Sequence, residues 1–218
     1  MPTLAVPRPQ TLGEEVANAV SHGLGFLLAL ASLPILVWYT GHRGGDMAHI
    51  VGASVFSATM IVLYLVSAVY HALPAGRAKQ VFNRLDHAAI YLFIAGSYTP
   101  FTLGVLRGTW GWTLLGVVWA MAAAGVVIKL LDRLRHPLWS TGLYVVMGWV
   151  VLAALAPLVE RMSAAGMAWL LVGGVSYTLG AVVFLLDERI RYAHFVWHLF
   201  VLAGSTCHFF AALWHAQG

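Results

Sequence analysis

Two histidines, His194 and His198, stand four residues apart in the stretch Arg191-Tyr-Ala-His-Phe-Val-Trp-His-Leu-Phe. On a helix such a pair lies about 40° apart in angle and one turn apart in height, so both imidazoles can reach one metal ion. Two other stretches carry comparable groups. Ser67-Ala-Val-Tyr-His71 closes one apolar run, and Asn83-Arg-Leu-Asp86-His87 opens the next. The chemistry available to histidines, a carboxylate and a hydroxyl is metal binding, with a water activated at an open position. A lone histidine in an apolar segment reads more readily as a hydrogen-bonded core residue. Only a shared depth would turn these into a site, and that depends on the elements that carry them.

Those elements are apolar helices. Hydrophobic residues make up 61% of the 218-residue chain and charged residues 9%, against about 45–50% and about 25% in soluble domains. Runs of about 20 apolar residues recur, the length of a membrane-crossing helix, and no alternating strands of a transmembrane barrel are visible. The expected fold is all-α: a polytopic bundle of seven transmembrane helices forming one domain over 1–218, with a loose tail at 1–12. The predicted spans are 20–40, 48–72, 86–106, 110–131, 138–158, 164–186 and 193–215. Thr11-Leu-Gly-Glu14 fits a capping box that starts the first helix. Pro34 and Pro100 fall inside spans, where neighbouring helices can re-satisfy the freed carbonyls. No removable signal peptide is expected. The single Cys207, inside the last span, excludes an internal disulfide and reads as a small buried residue.

Orientation follows from the basic residues. Arg8, Arg77, Lys79, Arg84, Lys129, Arg133, Arg135, Arg189 and Arg191 fall on one side, nine of the twelve, and Arg43, Arg107 and Arg161 on the other. The positive-inside rule then puts the N-terminus in the cytoplasm and the C-terminus outside. The net charge of +4 reports this topology, so no nucleic-acid partner is expected. With that orientation Ser67, His71, Asp86, His194 and His198 all lie in the cytoplasmic third of the bundle. Three imidazoles with a fourth position open is the pattern of a catalytic zinc site. Asp86 could orient or deprotonate a water there, and Ser67 could bond a substrate oxygen. His87 faces about 100° away from Asp86. His208, about 21 Å deeper than His194, reads as a bundle hydrogen-bonder, and His42, His49, His136 and His215 as interface or loop residues.

The chain resembles a known family at these residues. Glu15-Val-Ala-Asn18-Ala-Val-Ser-His22, Ser67-Ala-Val-Tyr-His71, Asp86 and His194-Phe-Val-Trp-His198 are similar, in order, to the motifs of the haemolysin III family. That family comprises the bacterial relatives of the progestin and adipoQ receptors, and the resemblance runs from about residue 13 to 215. It implies a seven-helix membrane fold with a zinc ion near the cytoplasmic side, ligated by His71, His194 and His198, with Asp86 and Ser67 close by. The wider superfamily includes alkaline ceramidases, which implies zinc-dependent amide hydrolysis in a lipid-facing cavity. Glu15, Asn18 and His22 are expected to brace the site through hydrogen bonds. The extended cytoplasmic N-terminal domain of the animal receptors has no counterpart here, which argues against signalling through one.

Several functions fit these observations. The first is a zinc-dependent hydrolase of a lipid amide or ester in the bacterial inner membrane, with Asp86 and Ser67 as catalytic residues and membrane lipids as partners. A second is a non-enzymatic regulator or sensor of membrane fluidity and energetics, with zinc in a structural role. A pore-forming haemolysin and a haem protein are the remaining readings. The loops are too short to suggest a soluble protein partner.

Overall fold

The computed structural model describes residues 8–133 and 136–217; most of the predicted tail and Arg135 lie outside that range. The chain folds into α1 (Leu12–His42), α2 (Met47–Ala72), α3 (Arg77–Leu103), α4 (Thr109–Leu130), α5 (Pro137–Trp149), α6 (Leu155–Arg161), α7 (Ala164–Phe184) and α8 (Ala193–His215). A single 3₁₀ segment, Val150–Ala154, joins α5 to α6. Among the described residues there is no strand.

Six helical segments are long and apolar enough to cross a membrane: α1, α2, α4, the α5–α6 unit Pro137–Arg161, α7 and α8. The chain is therefore a multi-pass helical membrane protein. The 27-residue α3 is long enough but more polar. Its polarity is turned inward: Asp86 and an unbroken run from Ala95 to Leu103 are buried, while α2 and α4 flank it and α5 and α8 touch it. Two boundaries differ from the sequence reading. The stretch 73–85, expected as a connection, already contains the first turns of α3 from Arg77. The span expected over 138–158 is interrupted, because its backbone tightens into the 3₁₀ segment before α6 resumes.

The packing is inside-out relative to a soluble protein. On α1 the buried positions are Glu14, Asn18, Ser21, His22, Gly25, Ala29, Ser32 and Leu36, one face at helical spacing that is mostly small or polar. Leu24, Leu27, Leu28 and Ile35 point outward, 46 to 61% exposed. Lipid solvates such leucines as well as a protein core does, so helix association rests on close approach and polar contacts. Gly25 permits that approach: a Cβ there would lie 2.8 Å from the Tyr64 ring of α2 and from Leu202 of α8. Ser32 donates to Ser57 at 3.2 Å across α1 and α2, and Tyr64 donates to Ser205 at 2.7 Å across α2 and α8. On the face opposite the histidines, Arg107 pairs with Asp46, the N-cap of α2. That guanidinium, aided by His49, holds the Asp46 carboxyl well below the usual carboxylate range.

The first and last helices are laced together at their starts. The capping box expected at Thr11 and Glu14 is formed. The buried Glu14 carboxylate also receives Arg8 at 2.6 and 2.9 Å and the Tyr192 amide at 2.9 Å. Tyr192 has a left-handed backbone, φ 60°, which costs a bulky residue on the order of 1–3 kcal/mol. Glu14 holds this strained residue at the point where the chain turns into α8. Replacing Glu14 by Ala is expected to destabilise the protein by about 1–3 kcal/mol, read as a lower thermal unfolding temperature in detergent. An unchanged temperature would mean that this lacing contributes nothing.

Candidate metal centre

α2 carries His71 one helical turn after Ser67, and α8 carries His194 and His198 in its first two turns. Contact of α1 with both α2 and α8 brings the three imidazoles together. One potential ligand nitrogen from each lies within 4.8 Å of the others, and the rings pack edge to face with centroids 4.9 to 5.1 Å apart. All three are buried, His198 completely.

Their hydrogen bonds settle which nitrogens are free. His71 Nδ1 lies 2.7 Å from Glu15 Oε2, and His194 Nδ1 lies 3.0 Å from Asp187 Oδ2. Carboxylates accept, so both Nδ1 atoms donate. His198 Nδ1 lies 3.1 Å from Ser21 Oγ. That hydroxyl already donates to the Asn18 carbonyl at 2.9 Å, so it accepts from His198. Each neutral ring is left with an Nε2 lone pair, and all three Nε2 atoms are buried with no hydrogen-bond partner. Converging unpartnered lone pairs repel one another and have lost their water, which is costly. A divalent cation resolves both problems, and an N–H tied to a carboxylate or hydroxyl is how metal-bound histidines are oriented. The residues fit a zinc-type ion.

The sequence-predicted residues divide around this centre. Glu15 orients His71 and is itself held by Lys79, 2.9 Å away. Asn18 lends its backbone carbonyl to Ser21, while its side-chain amide donates to Gln10 at 2.7 Å. His22 stacks on His198 with centroids 3.4 Å apart, and its Nδ1 lies 2.7 Å from Ser67 Oγ. Ser67 also stands beside the buried Asp86 carboxylate. Asp86 is outside the three-histidine group. So is His87, whose Nδ1 donates to the Asn83 carbonyl at 2.8 Å. Two residues that touch the centre, Ser21 and Asp187, were not anticipated. Ser21 sits inside the motif Glu15 to His22 and could have been inferred from its position on the same helix face. Asp187 lies in the connection between α7 and α8, where no spacing rule points to it.

A cavity of about 130 Å³ begins beside the centre, lined there by His22, Asp86 and Trp197. It runs between α3, α5, α7 and α8 past Phe93, Tyr98, Trp149 and Tyr177 to His208. Its wall is apolar except at isolated polar atoms.

Glu15→Gln and Asp187→Asn keep shape while weakening the hold on His71 and His194. Each is expected to lower zinc affinity about 10–100-fold, measured by competition with a chromophoric chelator. Unchanged affinity in both would remove these carboxylates from the site.

A multi-pass helical bundle with a buried three-histidine centre shared by its second and last helices is the class of protein defined here. A family model described as Haemolysin-III related matches residues 10–209, and the chain belongs to the haemolysin III family. It is 41% identical to Hemolysin-3 of Bacillus cereus over 206 residues, 94% of this chain and 93% of that one. Identity to the Hemolysin-3 homolog of Bacillus subtilis (strain 168) is 41% over 205 residues, 94% and 95% of the two chains. The human monocyte to macrophage differentiation factor is 29% identical over 212 residues, 92% of this chain and 84% of that protein.

Proposed function

We infer that this protein is a zinc-dependent hydrolase of a lipid amide or ester, resident in the bacterial inner membrane with its centre near the cytoplasmic side. The observation that carries the reading is the three unpartnered Nε2 atoms converging beside an apolar cavity whose near end holds Asp86 and His22. In this reading α3 is a seventh span, its polar face hidden among its neighbours, and the basic residues keep the N-terminus in the cytoplasm.

A zinc ion held by His71, His194 and His198 would supply Lewis acidity to a carbonyl and lower the pKa of a water. The chain's own residues do the rest. Asp86, buried at the cavity's end, takes a proton from the attacking water and returns it to the leaving nitrogen or oxygen. Ser67 lies between Asp86 and His22 and fixes the direction of both side chains. The apolar wall takes the acyl chain and keeps bulk water from the reacting carbonyl.

A regulator or sensor with structural zinc is the second reading, and one observation favours it: His71, His194 and His198 do not themselves line the cavity. Ring centroids about 5 Å apart leave no slot for a porphyrin, which disfavours haem. The test is fatty-acid release by purified protein from a fluorescent N-acyl lipid and its ester counterpart, before and after chelation. Zinc-dependent release from either supports hydrolysis, and a zinc-loaded protein inert towards both would leave the structural reading.

A further inference from the structure

The far end of the cavity holds a polar group that the reading above does not use. His208, on α8, is ten residues beyond His198, hence about 15 Å along the helix axis. Its ring lines both the main cavity and a smaller one that continues past Phe101, Leu106 and Leu158. It therefore stands where the two spaces meet. The ring is seated closely: a Cβ added at Gly173 of α7 would lie 2.7 Å from His208 Nε2. The Tyr177 ring packs against the imidazole edge to face at 5.3 Å.

A neutral imidazole donates at one ring nitrogen and accepts at the other, so either nitrogen can pair with a hydroxyl. The Nδ1 of His208 is buried and has no partner. The remaining polar side chains at this end are satisfied. Ser97 donates to the Ile94 carbonyl, Tyr98 to the Met147 and Gly148 carbonyls, Thr178 to Gly174, and Tyr177 is paired with Ser205. His208 Nδ1 is thus an isolated polar atom in an apolar cavity, and a buried polar atom without a partner is costly to maintain.

We propose that His208 is a second recognition point for the cavity's ligand, its Nδ1 hydrogen-bonding a hydroxyl carried within a long acyl chain. This rests on the reading that the cavity takes a lipid chain with its polar end at the histidine centre, and it adds which chain is preferred. An extended chain advances about 1.2 Å per bond, taking three bonds per residue of extended backbone. The hydroxyl is therefore about a dozen bonds from the polar end. A plain saturated or unsaturated chain fills the same space but leaves Nδ1 unpaired, and sites built around a hydrogen bond discriminate against analogues that lack it.

Ricinoleic acid and oleic acid test this directly, since they differ only by a hydroxyl at about that distance. Binding of each to detergent-purified, zinc-loaded protein is measured by displacement of a fluorescent fatty acid. The wild type is expected to bind ricinoleic acid about tenfold more tightly than oleic acid. His208→Phe is expected to abolish the preference while oleic acid binds as before, and His208→Gln, which restores a hydrogen-bonding group, to recover part of it. Equal binding of the two acids by the wild type overturns the proposal, as does a preference that survives in His208→Phe, or failure to bind either acid. The readout needs no turnover: a protein that prefers the hydroxylated acid but hydrolyses nothing keeps this subsite and loses the hydrolase reading.

Discussion

Protein purified in detergent is expected to carry about one zinc ion per chain, and His71→Ala, His194→Ala and His198→Ala each to carry none. Among the described residues the three histidines form the group whose nitrogens can share one ion, and removing one leaves two. An ion held by two neutral nitrogens in an apolar site has neither the coordination number nor the charge compensation that zinc requires. The loss should therefore exceed the 10–100-fold expected for Glu15→Gln, and metal analysis after desalting would read it as all or none. Of the three, His71→Ala is the most informative. It leaves the four-residue pair on α8 untouched, so retention of full zinc there would show that α8 alone binds the ion. The shared centre of α2 and α8 would then be lost, and with it the mechanism.

The second large effect is expected at Asp86. Asp86→Asn keeps the volume and a hydrogen-bonding oxygen but cannot hold a proton, and it does not touch the three-histidine group. Zinc content should stay at the wild-type level while lipid hydrolysis falls by about 10²–10⁴, the usual contribution of a positioned general acid–base. Ser67→Ala, which frees both Asp86 and His22 to turn, should keep zinc and lose less. If Asp86→Asn turned over lipid at the wild-type rate, proton transfer by this carboxylate would be excluded. If it lost zinc instead, Asp86 would belong to the metal site and not to the chemistry beside it.

Much of this was legible in the residues, and the reasons are specific. The capping box at Thr11 and Glu14 is a local contact three residues long, so sequence contains all of it. The proximity of His71 to His194 and His198 is non-local, but a membrane limits depth to one coordinate, and counting basic residues gives an expectation for that coordinate. Rotation about each helix axis is what the count leaves out. Asp86 shares the depth of the histidines, yet its helix turns it towards Ser67 and the cavity. The orienting partners depend on that same rotation: Ser21 meets His198 because the buried face of α1 is set by Gly25 closing onto α2 and α8. Asp187 escapes both arguments, since it sits in a connection whose path is set by the left-handed turn at Tyr192. The break in the fifth predicted span was illegible for another reason. Its residues are uniformly apolar, and hydropathy does not distinguish an α-helix from a 3₁₀ turn.

The division of the centre between α2 and α8 also sets an order of events during synthesis. His71 enters the membrane on α2, whereas His194 and His198 follow only on α8. Glu15 and Ser21, which aim the ligands, are ready from the beginning on α1 and wait for most of translation. No partial chain lacking α8 can assemble the three-nitrogen set, so that set is complete only once α8 has inserted. Because α8 packs against α1 as well as α7, its insertion closes the bundle onto α1. A nascent protein stalled before that step would present an open bundle edge and unpaired buried histidines to the quality-control proteases of the membrane.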